Sequence, residues 1–215
     1  AGDITTTSSG APILIKATGQ ILSGNGTSVA APKLFQTLNG PITLWADAEN
    51  NLSGRIYIGT YNKFNSQGGR ITIAGGADDG GTSSGISAAV VRTAGDGFPD
   101  GYARAEASGY TAQVSGLYIG LLTQILSSNG DIVIAGRGSQ SASAVVSEKG
   151  LWTDTITVNS GTGKIGMFGK SSSVNFGYSY AWYVIGGNHA DGALITSAST
   201  APDAITIHGD ASGGS

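Results

Sequence analysis

The chain has 215 residues, 40% hydrophobic and only 12% charged, with a net charge of −3, 36 glycines and no cysteine. It is long enough to bury a sizeable core. Its charged fraction is about half of the roughly 25% usual in soluble domains, and so many glycines count against a helical enzyme. Without Cys, a disulfide scaffold and a thiolate metal site are excluded, and 11 Lys plus Arg supply no basic stripe for nucleic acid.

No run approaches the ~18 continuous apolar residues of a membrane helix, so no membrane insertion is expected. The opening Ala1-Gly2-Asp3 is not a signal peptide and fits a mature N-terminus or a fragment boundary. Disorder is disfavoured by the small net charge and the regular clusters of Ile, Val and Thr.

Taken in chain order, one motif returns: a turn-forming residue, then apolar–any–apolar, then small residues. It first reads Gly2-Asp3-Ile4-Thr5-Thr6, Pro12-Ile13-Leu14-Ile15 and Gly40-Pro41-Ile42-Thr43-Leu44. It returns as Gly69-Arg70-Ile71-Thr72-Ile73, Gly130-Asp131-Ile132-Val133-Ile134, Gly163-Lys164-Ile165-Gly166-Met167 and Asp203-Ala204-Ile205-Thr206-Ile207. Ile13 to Ile42 and Ile42 to Ile71 are each 29 residues apart; the next intervals are 61, 33 and 40. The interval of 61 reads as two periods with a degenerate copy near Tyr102. A period near 30 that tolerates insertions is solenoid behaviour, each repeat being one coil.

Within each copy the period is two, so both flanking aliphatics point to one face. The predicted core stack is Ile42, Leu44, Ile71, Ile73, Ile132, Ile134, Ile165, Met167, Ile205 and Ile207. Further strand signals lie between the copies: Ile56-Tyr57-Ile58, Ala89-Val90-Val91, Leu117-Tyr118-Ile119, Ala144-Val145-Val146, Ile156-Thr157-Val158, Trp182-Tyr183-Val184 and Ala193-Leu194-Ile195. An antiparallel sandwich also has short strands, but it does not explain one motif returning every 29 residues. The expected fold is all-β: a single-stranded right-handed parallel β-helix of six or seven coils. It forms one domain over 1–215, with a loop-rich insertion around 77–115.

The runs Asn39-Gly40-Pro41-Ile42-Thr43-Leu44-Trp45-Ala46-Asp47, Gly68-Gly69-Arg70-Ile71-Thr72-Ile73-Ala74-Gly75-Gly76 and Ser128-Asn129-Gly130-Asp131-Ile132-Val133-Ile134-Ala135-Gly136 resemble filamentous-haemagglutinin-like exoproteins of two-partner secretion. Gly116-Leu117-Tyr118-Ile119 matches the runs that alternate with them in such proteins. The family's N-terminal secretion-domain signature is not seen, so the chain resembles a shaft segment or a short relative. The resemblance implies an extracellular or bacterial cell-surface location and a non-catalytic structural or adhesive role. Its implied partners are a host or cell-surface glycan or protein receptor, or other copies end to end. It carries over no catalytic residues.

Other chemistries were weighed against solvated turns and plain packing. Polysaccharide lyases and hydrolases of this architecture cluster Asp, Arg, Lys or His on one outer face; the nearest candidates here are Asp78, Asp79, Arg55, Arg70 and Gly187-Asn188-His189. Calcium, which wants six to eight oxygens, has weak candidates in Asp78, Asp79, Asp96 and Asp100 and is the one ion considered; no other cofactor is expected. Ice binding would need a continuous Thr face, and the outward positions Thr5, Leu14, Thr43, Thr72, Val133, Gly166 and Thr206 break it. Late aromatics, Phe176, Tyr178, Tyr180, Trp182 and Tyr183, could cover a coil end or stack on sugar rings. Tyr178, Tyr180 and Trp182 are the glycan-contact candidates.

Overall fold

The computed structural model describes residues 2–83, 93–105, 114–139, 147–171, 178–185 and 192–211. These contain no helix. The first coil holds β1 (Ile4–Ser9), β2 (Ile13–Lys16) and β3 (Ile21–Ser23); the second holds β4 (Lys33–Leu38), β5 (Ile42–Ala46) and β6 (Ile56–Ile58). The third has β7 (Asn62–Asn65), β8 (Ile71–Gly75), the short β9 (Ala103–Arg104) and β10 (Val114–Ile119). Next come β11 (Thr123–Leu126), β12 (Ile132–Arg137) and β13 (Glu148–Thr153), then β14 (Ile156–Asn159), β15 (Ile165–Lys170) and β16 (Ser179–Val184). Two strands, β17 (Leu194–Thr196) and β18 (Ile205–Asp210), begin a further coil.

Every third strand pairs in parallel with its counterpart one coil away. The first sheet runs β1-β4-β7-β11-β14-β17, the second β2-β5-β8-β12-β15-β18 and the third β3-β6-β10-β13-β16. The chain is a parallel β-solenoid of about five turns. The predicted Ala89-Val90-Val91 and Ala144-Val145-Val146 strands lie outside the described residues.

The coil count is lower than the six or seven expected because the 61-residue interval is one turn. Ile71 pairs directly with Ile132, with no coil between them. The chain leaves the second sheet at Gly75 and returns at Gly101, where the two glycines form an antiparallel bridge. Ala103 and Arg104 then pair with Gly136 and Arg137, completing the strand that β8 broke off. The residues near Tyr102 are therefore the end of an interrupted strand, and the segment between is an excursion with a pinched base.

The motif isoleucines fix the register. One column runs Ile13, Ile42, Ile71, Ile132, Ile165, Ile205 and the next Ile15, Leu44, Ile73, Ile134, Met167, Ile207. Ile42, Leu44, Ile71, Ile73, Ile132, Ile134, Ile165 and Met167 are fully buried, each contributing roughly 1.5–3 kcal/mol of apolar burial. Ile205 and Ile207 hold the same register but are 40% and 48% exposed, contrary to their expected burial, since no further coil covers β18. Phe35, Phe64, Ile125 and Val158 supply the first sheet's inward column, and the two Phe rings stack at 4.6 Å.

A second code runs along the corner between the first and second sheets. Thr37, Ser66, Ser127 and Ser160 are buried, and each donates its hydroxyl to the carbonyl of the glycine three residues on: Gly40, Gly69, Gly130 and Gly163. A Cβ at any of these glycines would overlap backbone of the preceding coil. Glycine is required there by close approach of neighbouring turns.

Candidate functional site

Each of the three faces has a different outer surface. On the second sheet the outward positions Thr43, Thr72 and Val133 are buried, not solvated, while Leu14 is 55% exposed. The excursion from Gly76 onward covers the middle of this face: Tyr102 packs with Ala74, Val133, Ala135 and Phe168, and the Trp45 indole donates to the Gly76 carbonyl at 2.8 Å. A continuous exposed Thr face is therefore absent from the described residues. The first sheet presents mostly polar side chains outward, among them Gln36, Lys63, Asn65, Gln124 and Thr157.

The third sheet carries a row of rings. Register places Leu22, Tyr57, Tyr118, Trp152 and Tyr183 on successive coils. Tyr57 and Tyr118 stack with centroids 4.7 Å apart; Trp152 stands edge-on to Tyr118 at 5.0 Å and to Tyr183 at 6.2 Å. Tyr57, Tyr118 and Trp152 are each the central residue of a triplet whose flanking side chains are fully buried, so the strand period of two turns the ring outward. Tyr180 joins Tyr183 at 5.0 Å. Beneath the rings, Lys149 is almost fully buried, with its ammonium 4.2 Å from the Trp152 centroid and 5.0 Å from that of Tyr183. It also donates to the Ser147 hydroxyl at 3.2 Å, and burial lowers its pKa. Burial, followed by the neighbouring Tyr57 and Asp154, pushes the Tyr118 phenol up to about 12, so it remains a hydrogen-bond donor at neutral pH.

The predicted glycan contacts divide. Tyr178 is 63% exposed and Tyr180 lies beside the ladder, but Trp182 does not share their face. It pairs with Leu151 in the inward column, packs against the main core and donates its indole N–H to Thr153 Oγ1 at 3.1 Å. The register of this sheet is constant: Leu117, Leu151 and Trp182 share one column and Tyr118, Trp152 and Tyr183 the next, so the strand period of two sends the two columns to opposite faces. Phe176 lies outside the described residues. Tyr57, Tyr118 and Trp152 are not among the sequence-based candidates; their signal in the sequence is the aromatic centre of Ile56-Tyr57-Ile58, Leu117-Tyr118-Ile119 and Leu151-Trp152-Thr153.

The acidic candidates serve the excursion's own backbone. Asp78 accepts N–H bonds from Gly95, Asp96 and Gly97 at 2.6, 3.2 and 2.8 Å. Asp79 accepts from Gly81 and Ser83, and Asp100 from Gly80 at 2.7 Å. Asp96 meets Arg70 at 3.3 Å, and Arg70 lies over the Phe98 ring. Among the described residues no group of three His, Cys, Asp or Glu is placed to hold a metal ion. Arg55 donates to Gln20 at 2.9 Å on the third sheet's side, apart from the Arg70–Asp96 pair. His189 lies outside the described residues.

The excursion is fastened by a buried ion pair. Asp47, fully buried, faces Arg104 Nε at 3.4 Å, and Arg104 also reaches Asn50 at 3.4 Å. Burial raises the Asp47 pKa more than Arg104 and the backbone N–H groups of Asn51, Ser53 and Leu52 lower it. Burial likewise lowers the pKa of Arg104.

The fold and this outer row of rings define a parallel β-solenoid with one aromatic face and one face covered by a pinned excursion. Comparison with protein-family models, curated proteins and solved structures finds no match for the chain.

Proposed function

We propose that the chain is a non-catalytic structural and adhesive segment of a secreted bacterial surface protein of the filamentous-haemagglutinin-like kind. The observation that carries this reading is the use of the repeated residues. Each coil devotes its aliphatics, its corner Ser or Thr and its glycine to stacking, while chemistry-bearing carboxylates fold the excursion. Function then rests on extended outer surfaces, as in other solenoids. The sequence resemblance supplies the extracellular setting, and a cell-surface glycan or protein is the partner it implies.

The alternative is a carbohydrate-degrading β-helix, which needs Asp, Arg and His converging on one face of adjacent coils. Incubating the chain with a polysaccharide panel while measuring reducing-sugar release, alongside adhesion of the labelled chain to cells, separates the two. Adhesion without sugar release is expected. Sugar release that survives repurification would overturn the proposal.

A further inference from the structure

We infer that the outer face of the third sheet is a platform for an extended, neutral polysaccharide lying along the solenoid axis. This names the ligand class for the adhesive reading above and rests on it.

The first support is geometry. Four rings on consecutive coils form one file, with centroids 4.7, 5.0 and 6.2 Å apart. Their repeat is imposed by the strand spacing of about 4.8 Å, so the file matches a ligand with its own linear repeat better than an isolated sugar. Aromatic rings bury the flat, CH-rich faces of pyranoses as they bury other apolar surface. Trp152 is turned 74° from Tyr118 and 70° from Tyr183, so neither neighbouring ring lies face-to-face on its indole. The Lys149 ammonium lies over the indole, 4.2 Å from its centroid. Tyr57, at one end of the file, is 40% exposed, and Tyr180, beside Tyr183 at the other end, is 37% exposed.

The second support is charge. The charged groups nearest the file form no exposed cationic cluster: the Lys149 ammonium is buried against the rings, Asp154 is an anion, and Arg55, which donates to Gln20, is a single cation. Among the described residues the face therefore offers chiefly rings and phenolic hydroxyls, without the cluster of exposed cations that a uronate or sulfate polymer would need. Among the described residues, neither of the other two faces has an exposed row of aromatics.

Affinity electrophoresis of the 215-residue chain through gels containing hydroxyethylcellulose, neutral xylan or anionic alginate tests the proposal. Retardation by a neutral polymer and not by alginate is expected, with Trp152→Ala weakening it about tenfold. Tyr57→Ser, at an exposed rung, weakens it in the same direction even if Trp152→Ala does not fold, and Leu14→Ser on the second sheet leaves it unchanged. No retardation by either neutral polymer, equal retardation of wild type and Tyr57→Ser, or stronger binding to alginate would overturn it. A chain that adheres to cells yet passes both neutral gels freely sinks the platform and keeps the adhesive role; one that does neither sinks both.

Discussion

Gly130 illustrates how single residues constrain this molecule. Its missing Cβ is where the Gly69 carbonyl of the preceding coil sits, and Gly69 in turn makes room for Gly40. Gly130→Ala therefore forces two coils apart, and we expect a loss of about 1–3 kcal/mol, the usual range for overpacking. Urea unfolding should show a lower midpoint with an unchanged slope; a midpoint equal to wild type would refute the close-approach argument. The Asp47–Arg104 pair makes a second residue-scale case. Arg104→Met leaves a buried carboxylate without its cation, a change that typically costs about 3–5 kcal/mol. Asp47 already has a raised folded pKa, so its ionised form opposes folding, and the protein gains stability from this group as pH falls through that value. Removing Arg104 raises the pKa further, so the variant's deficit should be largest at neutral pH and shrink toward pH 4. Parallel thermal melts across that range check the sign.

Among the elements, the excursion is the separable one. Gly75 and Gly101 are bridged, and Gly76 lies against Gly101, so the ends meet without the residues between them. Deleting 77–100 and joining Gly76 to Gly101 should leave the β9–β12 pairing and the isoleucine columns intact. We expect circular dichroism to retain its β signature and unfolding to stay cooperative, with a slightly lower melting temperature because Arg70 loses its ion pair with Asp96 and its contact with the Phe98 ring. Loss of all cooperative unfolding would mean that the excursion belongs to the solenoid core. The apolar–any–apolar triplets and their 29-residue spacing made the strands and the inward columns readable in advance. The excursion's base was not readable, because its fastening is an antiparallel bridge between two glycines, which leaves no side-chain pattern. That omission produced the extra coil assigned near Tyr102.

At the scale of the whole molecule, stability propagates coil to coil, and the two end coils differ from the rest. Ile4, Leu14 and Leu22 at one end and Leu194, Ile205 and Ile207 at the other are 40% or more exposed, beside strand edges that have no neighbour among the described residues. Such edges template further pairing. For the isolated 215-residue chain we expect light scattering to report mass growing with concentration. Ile207→Lys should suppress that growth by placing a charge in the stacking column, and concentration-independent mass for the wild type would argue against end-to-end contact.

The sequence by itself determined the strand period, the inward columns and the coil corners, because those depend on residues a fixed distance apart meeting their own counterparts in the next turn. Its aromatic triplets also held the ladder in latent form. Only the tertiary structure decided that Trp182 turns inward and Tyr183 outward, since a period of two separates neighbours onto opposite faces without saying which face meets the core. It alone decided that Thr43 and Thr72 are covered and that Asp78, Asp79 and Asp100 face backbone N–H groups. Those outcomes depend on where a non-repeating segment comes to rest, and no periodicity encodes that.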